Sequence, residues 1–295
     1  MNRDHRRGLL AVLFAAVLWS TGGLLIKWVS VDGLVTTMWR SVFAAGTIAF
    51  ALKGARSVRR TPWGLLIGLA LSYAALLVMF VTATRLTTAA NAIFLQYTAP
   101  LHVVLFGLVF WRHRPSGIDL ITLAAAFGGM ALFFVGKLSP ANSLGNYLAL
   151  GSGVAFGAFL LLLKHRDADD GVRLRAMVLG NVLLAVGLAV FHAASGRSEA
   201  FSPPRQDLLA LAFLGVVQIG LAYIIFAYGI ARIAALEASL LGMLEPVLNP
   251  VWVWLVLGES PGGWAVLGGA IILGALVLRT VVTERGMRAP KTARA

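Results

Sequence analysis

The chain contains no cysteine, and charged residues make up only 13% of its 295 residues. Without cysteine, neither a disulfide framework nor a thiolate metal site is possible. The sequence also lacks a GxxxxGK[ST] loop and an HExxH motif, so it encodes neither a P-loop nucleotide-binding motor nor that type of zinc centre. We therefore expect no metal, no cofactor and no soluble enzymatic domain.

Apolar residues dominate what is present. They make up 59% of the chain, and the mean hydropathy is +0.85, whereas soluble domains are about half apolar and a quarter charged. The net charge of +13 invites a nucleic-acid interpretation, but the basic residues form short clusters without the interleaved aromatics that stack on bases. We predict an integral membrane protein whose surroundings are the lipid bilayer, with no nucleic-acid partner.

The apolar runs predict an all-α integral membrane fold of ten transmembrane helices. A helix that crosses the hydrocarbon core needs roughly 20 residues, and runs of this kind are bounded by charges, glycine or proline. The first run is longer than the apolar region of a signal peptide and has no convincing cleavage site, so we interpret it as a retained span. The predicted spans are residues 8–28, 33–52, 63–83, 89–110, 117–136, 147–163, 176–194, 208–229, 233–257 and 263–280.

The basic residues predict the orientation, because cytoplasmic loops carry an excess of lysine and arginine. Ten spans put both termini on one side, and that side holds 19 of the 25 basic residues. We expect a multi-pass protein of a bacterial-type inner membrane with both termini in the cytoplasm. The 19 residues are Arg3, Arg6, Arg7, Lys53, Arg56, Arg59, Arg60, Arg112, Arg114, Lys164, Arg166, Arg173, Arg175, Arg232, Arg279, Arg285, Arg288, Lys291 and Arg294.

The two halves of the chain are similar to each other. Residues 1–141 are predicted to form a first five-helix repeat, and residues 142–295 a second repeat followed by a basic cytoplasmic tail. An odd number of spans inverts the second copy, as in many secondary transporters; the alternative is chance matching between apolar sequences. A shift of 146 places aligns Ala92 with Ala238, Pro100 with Pro246, Pro115 with Pro261 and Gly128 with Gly274.

Polar and aromatic residues near the middle of the spans are the candidates for a substrate site. Polar groups at the bilayer midplane are costly and by default mark function. Depth along each span can be estimated from the rise of roughly 1.5 Å per residue. The predicted substrate-binding residues are four aromatic ones, Trp19, Tyr73, Phe80 and Tyr223, and three polar ones, His102, Gln218 and Glu245.

Two prolines, Pro100 and Pro246, lie in equivalent spans of the two predicted repeats. Proline removes a backbone donor and frees a carbonyl one turn earlier. Interruptions in corresponding spans are a sequence indicator of a transport site. We therefore predict that both prolines act as hinges.

Each candidate also has a structural interpretation. His102 can be a packed residue that donates to a neighbouring carbonyl, and Glu245 can be protonated and hydrogen-bonded. Trp19 can be part of the packed interior. Arg40 is expected to reach toward the outer interface or to pair with Asp32.

Three segments carry a resemblance to a known family: WRSVFAAG (residues 39–46), TTAANAIFLQYTAP (87–100) and ARIAALEASLLGMLEPVLNPVWVWLVLGE (231–259). Together with the glycine-rich last span, they resemble the ten-helix EamA family of the drug/metabolite transporter superfamily. The resemblance implies two inverted five-helix repeats, secondary transport and export of metabolites, and it is greatest to the aromatic amino acid exporters. One departure is that Ala99 and His113 stand where the second half has Glu245 and Glu259.

We therefore expect a secondary transporter, not an enzyme, that exports neutral or aromatic amino acids or related small metabolites by alternating access. One alternative is efflux of drugs or lipophilic cations, with Glu245 neutralising the cation. A second is a membrane-embedded enzyme, suggested by Gly151-Ser152-Gly153 and His192 without a specific protease motif. The substrate is a small molecule; the oligomeric state stays open.

The predicted orientation can be tested with single cysteines, because the native chain has none. We expect cysteines at Ser143 and Ser195 to react with an impermeant thiol reagent added to whole cells, and a cysteine at Ser57 to be protected. Labelling after membrane disruption is the control for reactivity. Reaction of the Ser57 position in intact cells would contradict both the orientation and the inverted repeat.

Overall fold

The computed structural model describes residues 3–54, 62–112, 114–133, 135–136, 143–257 and 262–288. Every regular element in these ranges is helical. Ser57, His113, Glu259 and the last part of the basic tail lie outside the described residues.

The described residues of the first half form seven helices. They are α1 (Arg3–Ser20), α2 (Gly22–Trp28), α3 (Gly33–Leu52), α4 (Trp63–Leu86), α5 (Ala89–Gln96), α6 (Ala99–Trp111) and α7 (Gly117–Phe133). The second half forms α8 (Ser143–Leu163), α9 (Asp170–Ala194), a 3-10 turn (Ser198–Phe201), α10 (Arg205–Phe213), a π-helical segment (Leu214–Leu221), α11 (Ala222–Ile230), α12 (Ala235–Gly242), α13 (Leu244–Leu257) and α14 (Gly263–Arg288).

Seven helical stretches among the described residues are long and apolar enough to cross a membrane. Residues 117–132 form a shorter apolar helix. The predicted spans 8–28 and 233–257 are each divided, the first at Thr21 and the second at Met243. The all-helical membrane architecture agrees with the sequence, and the count of ten spans stays a prediction.

The surface of the bundle is apolar and polar residues are found inside it. Phe50, Leu209 and Val277 are 76%, 77% and 63% exposed, whereas Asn181 and Gln218 are 0% and 5% exposed. Soluble proteins do not present so many large apolar side chains to solvent. Lipid is therefore the solvent for this surface, and each buried polar group needs a partner inside the protein.

Two helices are interrupted at equivalent positions of the two halves. The α5–α6 pair breaks at residues 97–98, and the α12–α13 pair breaks at Met243. Pro100 and Pro246 both lie in the first turn after the break. Proline is compatible with a first turn because no intrahelical acceptor is available there for a backbone N–H. The interruptions thus accommodate both prolines without a kink in a continuous helix.

Four helix pairs form the frame of the bundle. Helix α4 packs on α8, α1 on α11, α3 on α9, and α7 on α14. The largest buried cluster is centred on the first two pairs and includes Trp19, Tyr73, Phe159 and Tyr223. Three of the four aromatic candidates, Trp19, Tyr73 and Tyr223, are thus brought together where helices from both halves meet.

A network of buried charges joins four helices at one end of the bundle. Arg279 of α14 pairs with Asp119 of α7 at 2.9 Å and with Glu237 of α12 at 3.0 Å. His5 of α1 lies 3.1 Å from Glu237. The guanidinium neutralises two carboxylates that would each be costly to bury alone, so polar contacts link the helices at this end.

The opposite end is tied through the α2–α3 loop. The carboxylate of Asp207 accepts hydrogen bonds from the amide and hydroxyl of Ser30, and Arg85 donates to the carbonyl of Val29 at 2.8 Å. Asp32 caps α3 and pairs with Arg197. Burial alone would raise the pKa of the Asp32 carboxyl, but the Val35 amide and the Arg197 guanidinium bring it below its usual value.

Two GxxxG pairs in the sequence predict close helix packing. The structure gives a different outcome for each pair. A methyl group at Gly153 would lie 2.6 Å from the Thr98 hydroxyl, so α8 closely contacts the α5–α6 interruption. The prediction is confirmed for Gly153 with Gly157. It is wrong for Gly64: within the described ranges, no neighbouring atom lies within 4 Å of a methyl group placed there, because this glycine faces outward.

Gly157→Ala should destabilise the protein, since its methyl group would lie 2.7 Å from the Cβ of His102. Overpacking of this kind costs about 1–3 kcal/mol. We expect a lower melting temperature in detergent for Gly157→Ala and an unchanged one for the matched control Gly64→Ala. Equal melting temperatures for the two variants would show that α8 does not need this close approach.

Candidate functional site

A central cavity lies where helices of both halves meet. Its volume is about 30 Å³, which is room for about two waters. The cavity is therefore too small for an organic substrate in this conformation. The residues that line it are Trp19, Arg40, Leu76, Leu77, Phe80, Gln96, Phe156, Gln218, Ile219, Tyr223 and Glu245.

Five of the seven predicted substrate-binding residues line this cavity, namely Trp19, Phe80, Gln218, Tyr223 and Glu245. They come from five different segments: α1, α4, the π-helical segment, α11 and α13. Depth within the span was the signal that selected most of them. Packing of helices from both halves brings them together.

The other two predicted residues lie elsewhere. Tyr73 is fully buried behind the cavity, where its hydroxyl accepts from Asn181 at 3.2 Å and its ring meets Tyr223 at 4.9 Å. His102 lies on the α8 side of α6: its Cβ is next to Gly157 and its Nδ1 is 3.0 Å from the Thr98 carbonyl. His102 is therefore not brought to the cavity.

Aromatic rings form one wall of the cavity. The Trp19 ring lies 5.0 Å from Tyr223 and 6.2 Å from Phe156, the latter in an edge-to-face arrangement. Phe226 packs 4.9 Å behind Trp19. Contacts in this range of distances and tilts are favourable for aromatic pairs, so the wall is held by ring packing from both halves of the chain.

Glu245 is held by a tyrosine from the other interruption. The Tyr97 hydroxyl donates to Glu245 Oε2 at 2.6 Å and to the Gly242 carbonyl at 2.9 Å. A phenol has one hydrogen to donate. Tyr97 therefore either shares it between the two oxygens, or donates it to the Gly242 carbonyl and accepts a hydrogen bond from a protonated Glu245. The two helix breaks are thereby joined directly at the cavity wall.

Gln218 lies in the π-helical segment, a feature that is frequent at functional sites. Its side-chain amide donates to the Trp19 carbonyl at 3.5 Å, and its Oε1 forms no hydrogen bond among the described residues. A methyl group at Gly22 would lie 2.6 Å from the Gln218 amide nitrogen. The glycine therefore leaves the space that the amide occupies.

The sequence-based expectation for Arg40 is wrong. Arg40 is 2% exposed and lines the cavity, while Asp32 pairs with Arg197 instead. Gln96 also lines the cavity and was missed. An arginine two turns into a span is itself an indicator of function; the direction of its side chain depends on the packing of α3 against the π-helical segment.

The structure does not join the residues of the enzyme alternative. The Ser152 hydroxyl donates to the Ala149 carbonyl at 2.6 Å, and the His192 ring packs 5.4 Å from Phe191 with no hydrogen bond to any described residue. In the described ranges, no three His, Cys, Asp or Glu side chains are grouped so as to hold a metal ion.

Tyr97→Phe removes the hydroxyl that joins the two interruptions and leaves the Gly242 carbonyl without this donor. A buried group left unpaired costs about 1–3 kcal/mol. We expect a lower melting temperature for Tyr97→Phe, measured in detergent. Tyr147→Phe, at a residue that is 71% exposed, is the control and should melt like the wild type. An unchanged melting temperature for Tyr97→Phe would contradict a stabilising role of this bridge.

Comparison with known proteins identifies the family to which this chain belongs. A Salmonella typhimurium protein named as an uncharacterized inner membrane transporter is 26% identical over 299 residues, covering 96% of this chain and 98% of that protein. A Streptantibioticus cattleyicolor protein named as a probable terminal-alkyne amino-acid exporter is 24% identical over 209 residues, 68% of each chain. One crystal structure shares the fold, with a TM-score of 0.77 at 20% identity over 93% of this chain and 97% of that one. The sequence profile of the EamA-like transporter family matches residues 6–135 and 143–281. The chain therefore belongs to the EamA-like transporter family and is a multi-pass membrane transporter.

Proposed function

We propose that this transporter exports amino acids, above all neutral and aromatic ones, or related small metabolites, by alternating access across a bacterial-type inner membrane. The observation that carries the proposal is the composition of the central cavity. A carboxyl group, Glu245, and an amide, Gln218, lie beside the rings of Trp19 and Tyr223. The carboxylate suits a substrate ammonium group, and ring faces suit an apolar or aromatic side chain.

The small volume of the central cavity supports alternating access. An amino acid needs more room than two water molecules, so the surrounding helices must move apart for binding and release. Polar contacts join the helices at both ends of the bundle, through Arg279 at one and Asp207 at the other. We propose that these contacts separate in turn, with Pro100 and Pro246 as the hinges.

The helix pairs support two inverted repeats of five spans. In this arrangement each span of the first half corresponds, in chain order, to one of the second half: α1–α2 to α8, α3 to α9, α4 to α10–α11, α5–α6 to α12–α13, and α7 to α14. Exchanging the halves then converts the α4–α8 pair into the α11–α1 pair. The α3–α9 and α7–α14 pairs map onto themselves. Two family matches, one in each half of the chain, are what duplicated units would give. Both termini would then lie on the same side of the membrane, which the basic residues predict to be the cytoplasm.

A second and larger cavity supports a route from the cytoplasm. It has a volume of about 340 Å³ and lies among the end of α6, the end of α8 and the start of α12. Gly107, Trp111, Lys164 and Leu236 are among its lining residues. These helix ends belong to the predicted cytoplasmic side. We propose that substrate enters here.

A relative supports the substrate class. The Streptantibioticus cattleyicolor protein is named as a probable exporter of a terminal-alkyne amino acid. The aromatic wall of this chain favours larger apolar side chains over small polar ones.

The test is transport of a labelled amino acid panel by purified protein in proteoliposomes. Wild-type protein should move phenylalanine, and Glu245→Gln should lower its transport about 10- to 100-fold, as expected for loss of a charged hydrogen bond. Glu199→Gln, at an exposed side chain, is the matched control. If a proton neutralises Glu245, the variant should lose its response to a pH gradient and keep exchange of substrate against substrate.

Two results would contradict the proposal. Transport of lipophilic cations without transport of any amino acid would favour the drug-efflux alternative. Wild-type rates and affinity in Glu245→Gln, under gradient and exchange conditions alike, would show that this carboxyl group is structural.

A further inference from the structure

Arg40 is a buried charge in a membrane span, and the packing of its backbone directs it inward. A methyl group at Gly215 would lie 2.6 Å from the Arg40 carbonyl, so the glycine lets α3 approach the π-helical segment closely. The side chain is 2% exposed and reaches the central cavity. An arginine in a membrane interior is costly unless it is paired or faces a polar site.

The guanidinium has unused hydrogen-bonding capacity. Its Nε and Nη1 atoms form no hydrogen bond with any described residue. Two other cavity residues share this property, since Trp19 Nε1 and Gln218 Oε1 are buried without a hydrogen-bond partner in the described part of the chain. The cavity thus has three unpaired donor atoms and one unpaired acceptor. They indicate a ligand that accepts hydrogen bonds from the Arg40 and Trp19 nitrogens and donates one to the Gln218 oxygen.

Arg40 and Glu245 also form a pair of opposite charges that do not touch. Both line the same cavity. No ion pair within 4 Å joins them among the described residues, and the carboxyl group of Glu245 is engaged by Tyr97 instead. A cavity with one cation and one carboxylate, held apart, is complementary to a molecule that carries both charges on neighbouring atoms.

We propose that Arg40 binds the carboxylate of the substrate, which makes an α-carboxylate a requirement for transport. This inference rests on the proposed function and deepens it. The guanidinium presents parallel N–H donors that match a carboxylate, and the Trp19 indole N–H adds a third donor. Glu245 and Gln218 Oε1 then receive the ammonium group. The two charges of the bound zwitterion then neutralise those of Arg40 and Glu245 in the low-dielectric interior. A lipophilic cation, in contrast, leaves Arg40 unpaired and is repelled by its positive charge.

The experiment compares phenylalanine with phenethylamine, which has the same ring and ammonium group but lacks the carboxylate. Their affinities are measured by competition with labelled phenylalanine and by thermal stabilisation of the purified protein in detergent. Wild-type protein should bind phenylalanine at least about 30-fold more tightly than phenethylamine, because the amine leaves a buried cation unpaired.

Arg40→Gln should lose about 30-fold or more in affinity for phenylalanine while its affinity for phenethylamine stays the same or rises. Arg40→Lys, which keeps the charge but not the planar fork, should fall between. Arg173→Gln is the control: this buried arginine of α9 donates to the Leu163 carbonyl at 3.0 Å and pairs with Asp170, away from the cavity. It should keep the wild-type ratio between the two ligands.

The outcomes separate this inference from the proposed function. If wild-type protein neither binds nor moves any amino acid, the proposed function fails. If it transports phenylalanine but binds phenethylamine equally well, the role of Arg40 is refuted without any variant, so a poorly folding Arg40→Gln does not affect the decision. Equal loss of affinity for phenylalanine and phenethylamine in Arg40→Gln would assign Arg40 to structure and also refute the inference.

Discussion

The hydrocarbon core of a membrane offers no hydrogen-bond partner to a backbone amide or carbonyl, and this constraint governs the structure. A helix can be interrupted there only where other protein groups meet the freed atoms. At the α12–α13 interruption the Tyr97 hydroxyl donates to the Gly242 carbonyl, and at the α5–α6 interruption the Thr98 hydroxyl donates to the Leu95 carbonyl. Tyr97 itself belongs to the α5–α6 interruption and also contacts Glu245 of α13. The two breaks depend on each other, and the cavity lies beside the point where they meet.

The same constraint explains why the cavity contains charges of both signs. A lone arginine or a lone carboxylate would be costly at this depth, and a direct ion pair would leave little for a ligand to do. Arg40 and Glu245 share the cavity without such a pair. Their cost is offset in part by Tyr97 on one side, and the unpaired donors of Arg40 and Trp19 are the ones that we propose for a zwitterion. Binding would thus complete a neutral arrangement that the protein alone leaves incomplete.

Polar contacts also distinguish the ends of the bundle from its lipid-facing surface. The Arg279 network and the Asp207 contacts each join helices of both halves, whereas the outer surface carries side chains such as Phe50 and Val277. Lipid makes helix contacts between apolar faces weakly specific, since hydrocarbon chains are as apolar as leucine. Polar links at the ends and glycine contacts, such as those of Gly153 and Gly157, therefore define how the helices pack.

The sequence by itself determined the membrane class, because composition and apolar run length depend on no tertiary contact. The motifs in residues 39–46, 87–100 and 231–259 also indicated the family. The sequence also selected Trp19, Gln218, Tyr223 and Glu245, because depth along a span follows from counting residues. Phe80 was selected because helical spacing places it on the same face as Tyr73. Periodicity shows which residues share a face but not which helix that face meets. The face that carries His102 packs against α8, and Arg40 turns inward because Gly215 admits the α3 backbone. Only the tertiary structure decided these directions, since they depend on contacts between segments more than 50 residues apart in the chain.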